Sequence, residues 1–325
     1  MRNKKLLHAV TGAFGYAGRY IATRLLNDGH QVITLTNSPR RPHPFGNRVP
    51  AFPLAFDDAA HLEASLAGVE VLYNTYWVRF NHHQFSHREA EKNTAILFSA
   101  AKKAGVKRIV HISITNPRED SPLEYFSGKA RTERLLLESG VGYAILRPAV
   151  LFGGEDILIN NIAWALRRFP VFPLFGDSQA YGLQPIHVED LASLAVREGD
   201  SRENTLLDAI GPETFTYRSL VETIARGIRR WRLLVNVPPG LAYALGRVLG
   251  IFVRDTFITR EEICGLMAGL LQVKARPAGH IRLSAWVVQN RETLGRRYAS
   301  ELARRLNRDV SYGNECCSPE GSMAA

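Results

Sequence analysis

The 325-residue sequence has little of what marks the specialised protein classes. Its three cysteines, Cys264, Cys316 and Cys317, fit no zinc or disulfide spacing, which is typical of a protein of the reducing cytoplasm. No run reaches the roughly 18 apolar residues of a membrane span. The basic N-terminus lacks the long apolar core of a signal peptide. We therefore expect a globular cytoplasmic protein.

The composition has an excess of positively charged residues. Lysine and arginine number 41 against 31 acids, a formal net charge of +10. Residues 1–155 hold 20 basic and 13 acidic residues, and residues 218–308 hold 17 and 6. Because no recognition helix or RNA-binding motif is present, we expect no nucleic-acid partner. The surplus leaves two hypotheses for the C-terminal part, an anionic small-molecule substrate and a peripheral contact with the membrane surface. The oligomeric state is left open.

The first half of the chain alternates between strand and helix patterns. Short apolar runs typical of buried strands fall at residues 6–10, 31–36, 69–74, 108–113 and 141–146. Amphipathic helical segments separate most of them. This rhythm predicts an α/β fold, a Rossmann doubly wound parallel sheet covered on both faces.

After residue 155 the alternation weakens. Residues 170–182 predict a proline- and glycine-rich loop, residues 183–188 a strand that returns to the sheet, and the chain from residue 216 a mostly helical region. The expected parts are a Rossmann domain, a smaller and mostly helical C-terminal substrate domain and a disordered tail, at residues 1–155 (with returning segments near 183–211), 156–310 and 311–325.

A glycine-rich turn, Thr11-Gly12-Ala13-Phe14-Gly15-Tyr16-Ala17-Gly18, joins the first strand to the first helix. Such glycines allow a tight turn and a close approach of the backbone to a pyrophosphate, and the helix that follows presents free N–H groups. The context predicts a nicotinamide dinucleotide site. The residues expected to hold the dinucleotide are Thr11, Gly12, Phe14, Gly15, Tyr16 and Gly18.

The end of the second strand bears on the choice between NAD and NADP. NAD sites usually place an acid there, but the sequence from residue 37 to residue 41 contains none. A serine and arginines could bind a 2′-phosphate, so the segment favours NADP(H) over NAD(H). The residues in question are Asn37, Ser38, Arg40 and Arg41. Asp57 or Asp58, after the third strand, is expected either to receive the adenine amino group or to cap a helix.

Tyr125 and Lys129 stand four residues apart in a predicted helix, so the ammonium group can lie beside the phenol. A neighbouring cation favours the phenolate, which prepares tyrosine for proton transfer. The preceding strand ends in Ser113 and Thr115, whose hydroxyls could polarise a substrate carbonyl. The pattern predicts an acid/base site. The alternative is that the hydroxyls cap a turn and Tyr125 packs in the core.

Several histidines must be considered as metal ligands or as structural residues. His82, His83 and His87 lack nearby cysteine or a paired acid, so we interpret them as part of a loop or a substrate-facing lid and expect no metal. His187 and Asp190 are interpreted as structural, packing and capping a helix.

Taken together, these motifs resemble the short-chain dehydrogenase/reductase superfamily, in its extended or atypical branch of epimerase/dehydratase-like proteins. Further matches are Asn74 after the fourth strand, residues 146–153, which include Pro148, and residues 185–192. The resemblance implies an NAD(P)-dependent oxidoreductase or epimerase that transfers a hydride. It also implies catalytic roles for Ser113 or Thr115, Tyr125 and Lys129, and cofactor contacts for Asn74, Lys129 and Pro148.

The sequence departs from that pattern in two places. Thr115 and Tyr125 are close together for an extended member, and Tyr76 and Trp77 replace small residues and are expected to crowd the nicotinamide side. The chain is also similar to the Rossmann-type accessory subunit of respiratory complex I, a kind of protein that binds NADPH tightly without known turnover. The alternative function is therefore a non-catalytic NADPH-binding module that supports a complex or senses redox state.

Overall fold

A seven-stranded parallel sheet organises the computed structural model, which describes residues 5–312. The strand order is β11-β6-β5-β4-β1-β2-β3. The strands are β1 (Leu7–Thr11), β2 (Gln31–Thr36), β3 (Ala51–Pro53), β4 (Val71–Asn74), β5 (Arg108–Ile112), β6 (Gly142–Pro148) and β11 (Thr205–Ala209). This confirms the predicted Rossmann fold, including the return of the strand near residue 205 to the sheet edge.

Helices cover both faces of the sheet because the side chains of each buried strand alternate between two apolar cores. Val10 of β1 packs with α1 and α6, whereas Ala9 packs with α2, α3 and α4. These helices are α1 (Tyr16–Asn27), α2 (Ala59–Ser65), α3 (His87–Lys103), α4 (Glu124–Glu138) and α6 (Val188–Asp200). With both faces covered, the carboxyl edge of the sheet is left as the place for a ligand.

The rest of the chain builds a third apolar core from helices and three small strand pairs. Its helices are α5 (Leu158–Arg168), α7 (Tyr217–Gly227), α8 (Pro239–Val253), α9 (Arg260–Met267), α10 (Leu283–Gln289) and α11 (Glu301–Leu306). Its strands are β7 (Val150–Phe152), β8 (Val171–Phe175), β9 (Gly182–Leu183), β10 (Pro185–His187), β12 (Phe215–Thr216) and β13 (Leu233–Val237).

Two predictions in this part were wrong. The loop predicted over residues 170–182 contains β8, which pairs in parallel with β13, itself in the region predicted as mostly helical. Pro173 hid the strand, because proline is excluded from most sheets but tolerated in a two-stranded edge. The strand predicted over residues 183–188 does not return to the main sheet, since β10 pairs with β7.

Between residues 5 and 312, no helix has both the length and the apolar character needed to cross a membrane. The predicted tail from residue 311 lies, after its first two residues, outside the described part of the chain. Cys316 and Cys317 lie there too. The division into domains stays a prediction.

Candidate active site

The glycine turn leaves no room for larger residues. Gly12 has a φ of +65°, and a Cβ on Gly18 would lie 2.4 Å from the carbonyl oxygen of Gly12. The Gly15 N–H donates to that same oxygen at 2.8 Å. Tyr16 begins α1, and its hydroxyl donates to the Gly153 carbonyl at 2.7 Å. A turn this tight brings the backbone and the α1 N-terminus close to whatever binds there, so its residues fit a pyrophosphate.

Thr11 and Asn74 tie together the carboxyl ends of β1 and β4. The Thr11 hydroxyl accepts from the Thr75 N–H at 2.7 Å and donates to Asn74 Oδ1 at 3.2 Å. Asn74 is fully buried, and its amide also bonds to the ring of His111. Pro148 is buried too, and its carbonyl accepts from the N–H of Thr115. These side chains shape the floor of the cleft.

The two arginines after β2 occupy different positions. Arg40 is exposed, whereas Arg41 is buried and donates to the carbonyl of Arg304 at 2.5 Å and to that of Asn307 at 3.3 Å. Ser38 is half-buried. Arg40 is therefore accessible to solvent, while Arg41 holds the C-terminal segment.

The remaining residues predicted for the adenosine side have separate surroundings. Asp58 caps α2 by accepting from the His61 N–H at 2.9 Å, and Asp57 is exposed. The Asn37 carbonyl accepts from Arg308 at 3.1 Å. Phe14 is buried in the turn and stacks on the His43 ring, with 3.7 Å between ring centroids.

Residues 301–312 cross the carboxyl edge of the sheet. Arg305 donates to the carbonyl of Trp77, which follows β4, and Arg304 donates to that of Glu155, which follows β7. The Tyr312 ring lies within 5.6 Å of the guanidinium carbons of Arg19, Arg41 and Arg304. Part of the positive charge around the cleft is therefore already engaged with this segment.

Tyr125 and Lys129 share a helix face but not a common environment. The Lys129 ammonium donates to the Ile112 carbonyl at 2.7 Å and lies 4.6 Å from the Trp77 ring centroid. Burial lowers the pKa of Lys129 to about 7. Burial, reinforced by Glu262, raises the pKa of Tyr125 to about 12. The phenol is therefore neutral at physiological pH, and Trp77 covers the lysine expected to activate it.

The two strand-end hydroxyls differ as well. Thr115 donates to the Leu270 carbonyl at 2.8 Å, which commits its hydroxyl to the fold. The Ser113 hydroxyl is buried and has no hydrogen-bond partner within residues 5–312. Ile114, between them, lines the large cavity at this edge of the sheet. Of the two candidates, Ser113 keeps its hydroxyl available.

A cavity of about 990 Å³ joins the sheet edge to the C-terminal part of the chain. Tyr16 and Tyr125 line it, as does Asp156, which the sequence analysis did not single out. Asp156 Oδ1 accepts from the N–H groups of Ile159 and Asn160, and burial raises its pKa to about 7. No sequence pattern marked Asp156, because it follows a glycine loop outside every motif.

Two further groups lie near the phenol. Arg79 pairs with Glu262 across 2.5 Å, which joins the loop after β4 to α9. His87, expected in a loop or lid, instead begins α3 and packs against both Trp77 and Tyr125. Trp77, His87 and Tyr125 thus form an aromatic cluster from segments that are distant in the sequence.

Histidines elsewhere have simpler positions. Within the described residues, no cluster of histidine, cysteine and acidic side chains could hold a metal ion. His187 caps α6 through its ring nitrogen, and Asp190 accepts from the N–H groups of His280 and Ile281. The structural interpretation of His187 and Asp190 is confirmed.

Comparison with known proteins supports this cleft as a dinucleotide site. Residues 12–161 match the family described as NAD(P)H-binding. The "NADH dehydrogenase [ubiquinone] 1 alpha subcomplex subunit 9, mitochondrial" of Arabidopsis thaliana is 27% identical over 251 residues. That alignment covers 74% of this chain and 62% of the relative, so the chain spans less than two thirds of the plant protein.

Solved structures agree on the fold. The NADPH-dependent quinone oxidoreductase QOR2 of Escherichia coli, solved with NADPH, matches 87% of this chain and 99% of its own with a TM-score of 0.71 and 21% identity. The UDP-glucose 4-epimerase of Thermotoga maritima matches 72% of this chain and 86% of its own, with a TM-score of 0.60 and 19% identity. Together with the relatives, these matches confirm the resemblance to the epimerase/dehydratase-like branch.

Proposed function

We propose that the protein is an NAD(P)H-dependent oxidoreductase that reduces a carbonyl group in this cleft, with Tyr125 as the proton donor. One observation carries the proposal. Tyr16, at the start of the helix behind the glycine turn, lines the same cavity as Tyr125. A dinucleotide held by the turn and a substrate beside the phenol would therefore share one cavity.

Different residues of the chain would bind the cofactor and protonate the substrate. Gly12, Gly15 and Gly18 let the backbone hold a pyrophosphate, and Ser38 with Arg40 would bind a 2′-phosphate, which favours NADPH. When bound, the reduced cofactor supplies a hydride to the carbonyl carbon. The carbonyl π bond breaks as its oxygen takes the Tyr125 proton, and the product is an alcohol. The phenolate regains a proton from water.

The protonation state of Tyr125 favours this direction. A phenol with a pKa of about 12 carries its proton at neutral pH and is ready to donate it, whereas oxidation of an alcohol needs the phenolate. Ser113 would donate a hydrogen bond to the same carbonyl oxygen, since its hydroxyl is not engaged elsewhere in the described chain. Lys129 would then act as a positioning residue, because its ammonium holds α4 to the Ile112 carbonyl of β5.

A second candidate is a non-catalytic NADPH-binding module, and one observation favours it. The Lys129 ammonium is bound to the Ile112 carbonyl and covered by Trp77, which does not favour the activation of Tyr125 that the resemblance implies. Relatives such as the Arabidopsis subunit carry names that place them in a respiratory complex. In this reading the chain would support such an assembly.

Replacing Tyr125 with phenylalanine tests the proposal. We expect Tyr125→Phe to bind NADPH normally, by fluorescence titration, and to lose roughly 100-fold or more in turnover with carbonyl substrates. Tyr143→Phe, a half-buried tyrosine on β6, should leave both values unchanged. Unchanged turnover in Tyr125→Phe excludes the proton-donor role. A wild-type chain that binds NADPH but oxidises it with no carbonyl compound favours the second candidate.

A further inference from the structure

Helix α8 buries three small residues and leaves several of its large apolar residues exposed. Ala242 and Gly246 are buried, and a Cβ on Gly246 would lie 2.6 Å from the side chain of Ile258. On the opposite side, Ile251 and Phe252 are 75% and 80% exposed. A surface helix in water has the reverse arrangement. The outer side of α8 is therefore suited to an apolar medium.

The exposed side of α8 continues into β13, and we call this surface the α8 face. Its exposed apolar side chains on α8 are Leu241, Leu245, Val248, Ile251 and Phe252, and Val235 of β13 lines the same cavity as three of them. Isolated exposed apolar residues are ordinary, but a contiguous group of this size marks an interaction surface.

The charge around the α8 face is strongly one-sided. Residues 226–260 contain seven arginines and a single acid, Asp255, which is buried. Arg230, Arg247 and Arg254 are exposed, and none of them forms an ion pair within residues 5–312. Apolar side chains flanked by arginines are complementary to an anionic lipid surface, where the arginines meet phosphates and the apolar groups enter the acyl region.

The cavity that contains Tyr125 opens on the same surface. Leu245, Val248 and Phe252 of α8 line the cavity and are also exposed, so its mouth is apolar. The lining from β8 and β13 is apolar too. The volume of about 990 Å³ is large for the site of a small polar substrate.

We infer that the α8 face docks on an anionic membrane surface and that the substrate is a membrane lipid with a long hydrocarbon chain. The chain enters the cavity through the α8 mouth, and the carbonyl group of the lipid reaches Tyr125. The docking stands on the α8 face alone, whereas the identity of the substrate rests on the proposed function.

Docking is tested by co-sedimentation of the full chain with vesicles of phosphatidylcholine alone or mixed with phosphatidylglycerol. We expect binding to the mixed vesicles at low salt and its loss at high salt. Arg247→Ala should lower the partition coefficient about fivefold, the effect of one interfacial charge. Ile251→Asp should abolish binding, because a carboxylate would enter the acyl region.

Leu137→Asp is the matched control, since Leu137 is an exposed leucine on α4, away from the α8 face. It should leave vesicle binding unchanged. The docking inference is overturned if the wild type stays in the supernatant at low salt, or if Leu137→Asp and Ile251→Asp weaken binding equally. Self-association that Ile251→Asp removes, without vesicle binding, would instead make the face an interface between copies.

The lipid cavity is tested without turnover, by the fluorescence of cis-parinaric acid, a conjugated fatty acid. We expect saturable binding that Val171→Asn, at the cavity mouth, weakens roughly tenfold because it places an amide in the apolar opening. Val288→Asn, an exposed valine of α10 outside the lining, is the control. No parinarate binding in a chain that reduces short carbonyl compounds overturns the lipid substrate alone. Parinarate binding without any turnover overturns the proposed function and leaves the cavity assignment standing.

Discussion

The sheet and the C-terminal part of the chain differ in how far their large apolar side chains are exposed. In the sheet, Leu35, Leu72 and Ile109 have no exposed surface, because helices cover both faces. In the C-terminal part, α8 buries Gly246 and Gly250 and leaves Ile251 and Phe252 exposed. The sheet therefore has an apolar cover of its own, whereas the α8 face has none within residues 5–312.

The two parts also handle positive charge differently. The N-terminal part buries Lys129 under Trp77 and ties Arg41 to main-chain carbonyls, and it leaves Arg40 exposed. The C-terminal part keeps Arg230 and Arg247 exposed. The proposed phosphate contact of Arg40 and the proposed lipid contact of the C-terminal arginines can therefore be tested separately.

The largest effect is expected from a methyl group in the glycine turn. In Gly18→Ala the new Cβ would lie 2.4 Å from the Gly12 carbonyl oxygen, so the backbone must move and the turn must open. We expect NADPH affinity, measured by fluorescence titration, to fall on the order of 100-fold, because the backbone approach to the pyrophosphate is lost.

A graded series separates this effect from general damage. Gly15→Ala, with a closest contact of 3.2 Å, should weaken NADPH binding less, and Gly240→Ala on α8, with open space around it, should change nothing. Thermal unfolding shows whether each variant is folded. A folded Gly18→Ala variant that binds NADPH with wild-type affinity would remove the glycine turn from the site.

A smaller effect is expected at Lys129. Its pKa falls from 10.5 to about 7 on folding, so between these values the unfolded chain binds more protons than the folded chain. Stability therefore rises with pH in this window, by about 2 kcal/mol between roughly pH 7 and 9. Urea denaturation should show that rise in the wild type and in Lys102→Met, an exposed lysine, but not in Lys129→Met. Equal pH dependence in all three proteins contradicts a buried Lys129.

The sequence was sufficient to predict the structural features that depend on residues close together in the chain. The bounds of β2 agree with the structure, and the glycine turn was found because a strand, a turn and a helix follow one another. The pairing of β8 with β13 was missed, because it joins segments about 60 residues apart. Helical spacing placed Tyr125 and Lys129 on one face. It could not show that the Lys129 ammonium is bound to the Ile112 carbonyl and covered by Trp77.

The smallest effect distinguishes the two groups of arginines. Arg40→Ala removes an exposed charge beside the predicted 2′-phosphate site, so we expect NADPH affinity to fall about tenfold, while NADH affinity is unchanged. Isothermal titration with both cofactors measures the difference. Arg41→Ala should mainly lower stability, since Arg41 is buried against the carbonyls of Arg304 and Asn307.

Arg247→Ala is the counterpart in the C-terminal part. It also removes one exposed arginine and the same net charge, but from α8, so it should weaken vesicle binding and leave both cofactor affinities unchanged. Long-range attraction between a basic protein and an anionic ligand would instead make Arg40→Ala and Arg247→Ala equivalent. If both variants lose NADPH affinity to the same extent, the two parts share a single electrostatic role, and Arg40 is not a specific phosphate ligand.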